Sequence, residues 1–317
     1  MIQFVTLNYI REMNNFKKIV YHPAKGDHFM KTAIMTDTNS GISKSEGEKL
    51  GIFVIPMPVI IEDIIYYEGV NLSQEYFYQC LTEGKNISTS QPSPGDVMNM
   101  WNQILDSGYD ELIYIPMSSG LSNSCETAIS LADEYNGKVQ VANNHRISVT
   151  MRESIMEAKS YADNGMNAFQ IKEKLEENAY NCSIYIAVDT LEFLKKGGRV
   201  TAAGAALGTV LNIKPILTIQ GEKLDAFAKV RGMKKCHMKI IDAIQNDLNT
   251  RFKDIPTERI RLGAAGAGLT PEEIEIWKQE LSEAFPQLEL CYDHLSLCVG
   301  AHTGPGAIGT AISILAE

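Results

Sequence analysis

The stretch ELIYIPMSSGLSNSCETAISLADEYNGKVQVA, residues 111–142, contains the pattern that best indicates the architecture of the chain. A short apolar run predicts a buried strand over 111–116, an amphipathic run predicts a helix over 122–135, and a second apolar run predicts a strand over 138–142. A strand, a helix and a strand in this order are typical of a parallel sheet covered by helices. Ligands bind at the carboxyl ends of strands in such sheets, so the loop SSGLSNS, residues 118–124, is a candidate site.

The same alternation continues in both directions along the chain. Upstream, the patterns predict strands over 32–36 and 52–61, and helices from about Ser43, over 73–83 and over 95–107. Downstream, they predict helices near 150–165 and 168–180, a strand over 183–188, helices over 190–196 and 201–211, strands over 215–219 and 223–227, a helix over 232–251, and then a strand, a helix and two closing strands. We therefore predict an α/β protein of two α/β domains. The N-terminal domain should have a mostly parallel sheet with flanking helices, and the C-terminal domain a mixed sheet with helices.

The change of pattern near residue 180 predicts the boundary between these domains. The N-terminal α/β domain is expected over residues 30–180 and the C-terminal α/β domain over residues 181–317. Met30 begins MKTAIMTD, which is typical of a first core strand. Residues 1–29 are therefore interpreted as an N-terminal extension that need not belong to the fold.

The composition excludes several classes of function. The formal net charge is −10, which would repel phosphate backbones, so nucleic acid is not an expected partner. The six cysteines are dispersed without a C-x-x-C pair, which favours reduced thiols in the cytoplasm over a zinc site or a disulfide framework. No metal and no cofactor are predicted, because the glycines of KKGGRVT and GAAGAG lack the spacing of nucleotide-binding loops.

One segment resembles a membrane span in composition. Residues 295–316 contain no Asp, Glu, Lys or Arg over 22 residues. His302, Pro305 and four glycines divide this segment into two short apolar runs, which suit buried strands around a turn better than a helix in a bilayer. No transmembrane segment is predicted, and the first residues lack the continuous apolar region of a signal peptide.

Three loops concentrate hydroxyl groups, glycines and one histidine: TSQPSPG at 89–95, SSGLSNS at 118–124 and GAHTGPGAIG at 300–309. The second is predicted to begin a helix at about Ser122, where free backbone N–H groups and the positive end of the helix dipole favour an anion. Taken one at a time, these residues also have structural explanations: Ser122 as an N-cap, Thr89 as a turn residue and His302 as a core histidine.

Taken in order with DTLEFLKKGGR (189–199), IKPIL (213–217) and AKVRGMKKC (228–236), the three loops resemble the DegV family of bacterial proteins over nearly all of residues 31–317. The resemblance implies a two-domain α/β protein that holds one long-chain fatty acid between its domains. It implies a lipid carrier with no catalytic residues of its own. Relatives of this kind act with a fatty acid kinase and present the carboxylate to a separate ATP-using subunit, which makes acyl-phosphate for phospholipid synthesis.

The resemblance also implies the roles of particular residues. It implies that Thr89, Ser122 and His302 bind the carboxylate. Four further residues are expected beside the pocket: Ser90, Ser119, Gly120 and Thr303. Arg231 is expected to face the kinase partner. Hydroxyl groups on a proline-stiffened turn can donate to a carboxylate at little entropic cost. The three loop motifs contain no Lys or Arg clamp, and we hypothesise that this leaves the carboxylate oxygen more nucleophilic.

The chain departs from the family pattern in two places. Asn123, Ser124 and Cys125 follow Ser122 where relatives usually continue with Gly-Thr-Tyr. In NNHRISVTMRES, residues 143–154, Thr150 and Arg152 replace glycines that relatives commonly carry. Glycines let an acyl chain approach the backbone, so these replacements bear on the depth of the pocket.

Two other functions fit the same residues. An acyl hydrolase would use Ser122 or Ser119 as the nucleophile and His302 as the base, with Asp293 as a carboxylate to orient the imidazole. A carrier of another amphiphilic acid, such as a retinoid-like or isoprenoid acid, would need the same pocket. Analysis of the bound lipid separates the carriers, and a serine-directed fluorophosphonate tests the hydrolase.

Overall fold

The computed structural model describes residues 30–206 and 213–316; the extension predicted for residues 1–29 lies outside these ranges. The strands are β1 (Thr32–Asp37), β2 (Ile52–Ile55), β3 (Pro58–Ile61), β4 (Ile64–Tyr67), β5 (Ile87–Thr89), β6 (Glu111–Ile115), β7 (Val139–Val141), β8 (Cys182–Ala187), β9 (Ile213–Ile219), β10 (Asp225–Arg231), β11 (Ile260–Ala267), β12 (Leu290–His294) and β13 (Ala307–Ile314). The helices are α1 (Lys44–Leu50), α2 (Gln74–Thr82), α3 (Pro94–Asp106), α4 (Ser124–Ala132), α5 (Ser148–Asp163), α6 (Ala168–Glu177), α7 (Glu192–Gly197), α8 (Ala202–Ala205), α9 (Met233–Asn249), α10 (Pro271–Ala284) and α11 (Leu297–Thr303).

The N-terminal sheet is parallel, as predicted. Its four strands lie in the order β2-β1-β6-β7, and every neighbouring pair is parallel. One face packs on α3 and α4 around the buried side chains of Trp101 and Tyr114. The other face packs on α5 and α6. Helices on both faces bury the apolar strands completely, which explains why the strand Glu111–Ile115 reads as a continuous apolar run.

The C-terminal sheet is mixed, which confirms that prediction. Its six strands lie in the order β10-β9-β8-β13-β11-β12; β11 and β12 are parallel and the other neighbours are antiparallel. The helices α9 and α10 cover its outer face, where Trp277 is fully buried. The inner face turns toward α5, and a Cβ atom at Gly263 would lie 2.6 Å from the Val149 side chain. The GAAGAG stretch is therefore part of β11 and allows close packing.

The strand predicted over 52–61 is in fact two strands in different sheets. Ile52–Ile55 pairs with β1, whereas Pro58–Ile61 joins a three-stranded antiparallel sheet of order β4-β3-β5. Pro56 and Pro58 lack backbone N–H groups, so the first ladder cannot continue through them. This small sheet ends at Thr89, the first residue of the TSQPSPG loop.

The segment 295–316 also differs from its prediction. In place of a first strand it forms the helix α11, because the Ser296 side chain accepts a hydrogen bond from the N–H of Val299 and caps the helix. Gly304, at φ 76°, ends the helix before β13. Among the described residues, no helix has the length and apolar character that a membrane crossing requires.

Two further boundaries differ. The helix predicted over 122–135 begins at Ser124 and ends at Ala132. The helix predicted over 201–211 is described only as Ala202–Ala205, and part of it falls within residues 207–212, outside the described ranges. The predicted domain boundary at residue 180 falls between α6 and β8. It remains a prediction, because one apolar core includes residues from both sheets.

Candidate functional site

A cavity of about 360 Å³ lies between the parallel sheet and the six-stranded sheet. Thr89 at the end of β5, Ser122 in a loop and His302 in helix α11 all line it. Of the residues expected beside them, Ser90 and Thr303 also line the cavity, whereas Ser119 and Gly120 are not among its lining residues. Strand ends and helix ends that are distant in sequence therefore meet at one place.

One side of the cavity is apolar and belongs to the inner face of the six-stranded sheet. We call it the apolar wall; it consists of Ile184, Ile186, Ile219, Ala265, Gly309 and Ala311. The strand register makes these residues neighbours, since Ile184 pairs with both Ala311 and Ile219, and Gly309 pairs with Ile186. Alternate residues of a strand share a face, so this register gives one continuous apolar surface. The small residues on β11 and β13 leave the space that the cavity occupies.

The rest of the lining contains both apolar and polar side chains. We call four of its polar residues the polar end: Thr89, Ser122, Arg199 and His302. The Oγ1 atom of Thr89 lies 2.8 Å from the Nε2 atom of His302. Thr89 ends the small sheet and His302 lies in the last turn of α11, so this hydrogen bond joins segments 213 residues apart. Both side chains face the cavity.

The His302 ring fits against a glycine. A Cβ atom at Gly197 would lie only 2.1 Å from Nδ1 of His302, so no larger residue fits there without moving the ring. Gly198 follows as the left-handed C-cap of α7, with φ 68°. The two glycines of KKGGR thus have different structural roles. Gly197 leaves room for the His302 ring, and Gly198 turns the chain toward Arg199.

The imidazole of His302 is neutral at ordinary pH. Burial, and next the positive charge of Arg199, lower the pKa of His302 to about 4. A neutral imidazole has one N–H donor and one acceptor nitrogen. If Nε2 carries the proton, it donates to the Thr89 hydroxyl oxygen and leaves the Thr89 O–H free to donate into the cavity.

Arg199 is the cavity residue that the sequence analysis missed. Its Nε atom donates to the carbonyl oxygen of Leu121 at 3.2 Å, and its guanidinium also donates to the carbonyl of Gly197. The three loop motifs contain no Arg or Lys, but the cavity they form does contain an arginine. The signal was present, because Arg199 ends the DTLEFLKKGGR motif on which the family resemblance relied.

Some hydroxyl groups of the SSGLS loop form hydrogen bonds within the protein, and one lines the cavity. Ser118 donates to the carbonyl of Gly221, and Ser119 accepts a hydrogen bond from the Asn143 side chain at 2.7 Å. Ser122 is the serine of this loop that lines the cavity. Its hydroxyl accepts from the N–H of Ser124, and the N-cap position of α4 belongs to Asn123.

Gly120 of the same loop faces the turn between β9 and β10. A Cβ atom there would lie 2.6 Å from the Cα atom of Glu222. Ser119 and Gly120 therefore hold the loop in place, because they contact Asn143 and the β9–β10 turn.

The residues proposed for a hydrolase are not arranged as a triad in the described part of the chain. Asp293 forms an ion pair with Arg152 at 3.4 Å, and Arg152 also pairs with Glu46 of α1. Burial raises the pKa of Asp293 to about 6. His302 takes Thr89 as its partner. Arg152, one of the residues that replace family glycines, thus ties the N-terminal helix α1 to β12.

Several other predicted features can be located. Arg231 is exposed at the end of β10, the edge strand of the six-stranded sheet. Ser148 lines the cavity with a left-handed backbone, φ 55°.

All six cysteines are free thiols. No group of three or more His, Cys, Asp or Glu side chains suited to a metal ion occurs within residues 30–206 and 213–316.

Comparison with known proteins gives consistent matches. A family model described as "Uncharacterised protein, DegV family" matches residues 31–315. A DegV domain-containing protein of Deinococcus radiodurans is 31% identical over 287 residues, which cover 90% of this chain and 99% of that protein. One from Listeria innocua is 31% identical over 286 residues, again covering 90% of this chain and 99% of that protein.

Solved structures agree in fold and extent. A fatty-acid-binding DegV family protein from Thermus thermophilus superposes with a TM-score of 0.81 at 28% identity, covering 90% of this chain and 100% of that chain. DegV from Bacillus subtilis, described as a fatty acid binding protein, has a TM-score of 0.77 at 28% identity and covers 90% of this chain and 99% of that chain.

Proposed function

Because the chain belongs to the DegV family, we propose that it binds one long-chain fatty acid in the cavity between its parallel sheet and its six-stranded sheet. The observation that carries this proposal is the division of one cavity into an apolar wall and a polar end. A fatty acid has the same division, a long apolar chain with one carboxylate. The relatives from Thermus thermophilus and Bacillus subtilis, described as fatty-acid-binding proteins, support the assignment.

The tail would supply most of the affinity. Burying about 14 methylene groups at ~0.8 kcal/mol each contributes on the order of 11 kcal/mol before the cost of association. Each hydrogen bond to the charged head contributes about 1.5–3 kcal/mol. The apolar wall would therefore hold the ligand, and the polar end would determine which way round it lies.

The polar end offers several kinds of donor to a carboxylate. The Ser122 hydroxyl can donate one hydrogen bond, and the Thr89–His302 pair can donate one more, from the Thr89 O–H when Nε2 of His302 carries the proton. Arg199 adds a positive charge, which stabilises the ionised head in a partly buried position. Two of its N–H groups already donate to backbone carbonyls, which restricts its freedom to grip the carboxylate on both oxygens.

We further propose that the bound carboxylate is presented in the cytoplasm to a separate fatty acid kinase. One carboxylate oxygen would form a bond to the γ-phosphorus of ATP while the bond to the ADP oxygen breaks, which yields acyl-phosphate for phospholipid synthesis. Arg231, exposed at the sheet edge, is proposed to contact this partner. The protein itself would act as the lipid carrier.

Lipid analysis of the purified protein tests the first proposal. We expect denaturing extraction and mass spectrometry to give about one long-chain fatty acid per chain, with weaker retention in Ser122→Ala and His302→Ala. Ser130→Ala is the matched control, because its exposed hydroxyl bonds the carbonyl of Glu126 within α4 and does not line the cavity, and it should retain the acid as the parent does. A retinoid-like or isoprenoid acid, or no acid at all, would contradict the proposal.

A serine-directed fluorophosphonate provides the second arm of this experiment. The carrier proposal expects no covalent label on Ser122 or Ser119, because His302 hydrogen-bonds Thr89 and Asp293 pairs with Arg152. Labelling of Ser122 that His302→Ala abolishes would establish the hydrolase in its place.

A further inference from the structure

The turn that follows β1 touches all three segments that carry the predicted carboxylate ligands. We call residues Asp37, Thr38 and Asn39 the hub; all three are buried, and none of them lines the cavity. The hub is a 3-10 turn whose N-cap is Asp37. Asn39 takes part in two of these contacts, because its Nδ2 atom also donates to the Sδ atom of Met117 at 3.0 Å.

The first contact is with the loop that carries Ser122. One carboxylate oxygen of Asp37 accepts the N–H of Asn39 at 2.8 Å, and the other accepts the N–H of Met117 at 2.9 Å. Met117 begins the loop that leads to Ser122 and itself lines the cavity. Burial raises the pKa of Asp37 to about 6, while the two backbone donors favour its charged form.

The second contact is with the small sheet that carries Thr89. The Oγ1 atom of Thr38 accepts the N–H of Met57 at 3.2 Å. Met57 directly precedes β3, and in β3 Val59 pairs with Thr89. The hub therefore fixes the start of the strand against which Thr89 is aligned.

The third contact is with the helix that carries His302. The Oδ1 atom of Asn39 accepts a hydrogen bond from the Ser296 hydroxyl at 2.8 Å, and Ser296 caps α11. The first N–H of that helix, on Leu297, donates to the partly buried carboxylate of Glu68 at 3.0 Å. His302 lies about 8 Å along the helix from Leu297, at a rise of 1.5 Å per residue. A small tilt at the start of the helix therefore displaces the imidazole relative to Thr89.

We infer that Asp37, Thr38 and Asn39 are positioning residues of the fatty-acid head-group site, which bring Ser122, Thr89 and His302 into register without touching the ligand. This inference rests on the proposed function for its ligand. The geometric part concerns the protein alone, because the three contacts set the distance between His302 and Thr89 whether or not an acid is bound.

Variants of the third contact give the sharpest test. Asn39→Ala removes the acceptor of the Ser296 hydroxyl together with the donor to the Met117 Sδ atom. Ser296→Ala removes the hydroxyl donor and the cap of α11 but leaves the Met117 contact, and Ser296→Thr keeps the hydroxyl. Thr270→Ala is the matched control, because Thr270 caps α10 on the outer face of the sheet and does not line the cavity. It should lower thermal stability without altering the site.

Two measurements report on the head-group site of these variants. The ring signals of His302 in NMR spectra of the protein stripped of lipid report the environment of its imidazole, and competition with palmitate reports affinity. We expect Asn39→Ala and Ser296→Ala to shift the His302 signals and to weaken palmitate binding about tenfold, the size of one lost hydrogen bond. Ser296→Thr and Thr270→Ala should leave both readings at the parent values.

The outcomes separate this inference from the proposed function. Unshifted His302 signals in both Asn39→Ala and Ser296→Ala would overturn the inference, even if the parent protein binds palmitate tightly. A parent protein that binds no fatty acid would overturn the proposed function, and the His302 signals would still decide whether the hub positions the ring. If Thr270→Ala shifts the signals equally, general loosening explains them and the inference fails.

Discussion

The apolar wall and the polar end of the cavity are assembled in different ways. The wall takes its residues from four strands of one sheet, where the strand register makes them neighbours. The polar end takes Thr89 from the small sheet, Ser122 from a loop of the parallel sheet, and His302 from a short helix. A wall of many small contributions tolerates the loss of any one, whereas a hydrogen bond between distant segments is lost when one segment moves. We therefore expect substitutions in the apolar wall and in the polar end to weaken ligand binding in different ways.

Filling the wall should have the largest effect on binding. Ala311→Phe adds a ring to a buried position of the wall, where it would occupy the space of several methylene groups. Loss of about five methylene contacts corresponds to about 4 kcal/mol, so palmitate affinity should fall about a thousandfold.

A series of acids of decreasing length is the control for this variant. An acid shortened to fit the remaining space should bind Ala311→Phe and the parent with similar affinity, because the polar end is unchanged. If Ala311→Phe weakens the binding of short and long acids equally, the substitution disturbs the whole fold. That result would contradict the separate roles of the apolar wall and the polar end.

Crowding the histidine should have the next largest effect. Gly197→Ala introduces a Cβ atom 2.1 Å from the present position of Nδ1 of His302, so the ring must shift, which disturbs its hydrogen bond to Thr89. Loss of the one hydrogen bond that the Thr89–His302 pair gives to the carboxylate, at about 1.5–3 kcal/mol, predicts roughly ten- to hundredfold weaker palmitate binding, measured by competition.

The neighbouring glycine provides the matched control for Gly197→Ala. Gly198→Asn suits the left-handed backbone at that position, and a Cβ atom there meets no atom within 4 Å. It should bind palmitate like the parent. If both variants bind normally, the contact between Gly197 and His302 does not govern the polar end.

The difference between the two regions also explains what the sequence could reveal. The βαβ pattern of residues 111–142 depends on local periodicity, so the parallel sheet and the mixed sheet were predictable. The loops of Thr89, Ser122 and His302 could be singled out because loops at strand ends are where ligands bind in open sheets, and the structure brings all three to one cavity.

The features that were missed depend on tertiary contacts or on weak local signals. The small sheet consists of strands of three or four residues, too short for a clear alternation, and Pro56 separates its strand β3 from β2. The helix α11 has only seven residues, with Gly300 in its middle, and depends on its cap at Ser296. Arg199 enters the cavity after Gly198, whose left-handed backbone turns the chain before it. Local periodicity carries no information about such contacts.

The effect of acid on stability tests whether His302 is held neutral. The pKa of His302 is about 4 in the folded protein and about 6.5 in an unfolded chain, so the unfolded state binds the extra proton more readily. This contribution to stability is present above about pH 6.5 and is lost as the pH falls toward 4. Between about pH 7 and pH 4.5 the loss amounts to about 2 kcal/mol, which His302→Asn should avoid.

Urea unfolding of lipid-free protein at the two pH values measures this loss. The raised pKa values of Asp37, Glu68 and Asp293 act in the opposite direction, because burial makes these carboxyls favour their neutral form. They are present in both proteins, so the difference between parent and His302→Asn isolates the histidine. Ser122→Ala removes no titratable group and should follow the parent. If His302→Asn loses as much stability on acidification as the parent does, the imidazole takes up its proton freely, and the polar end is more open to water than the cavity geometry implies.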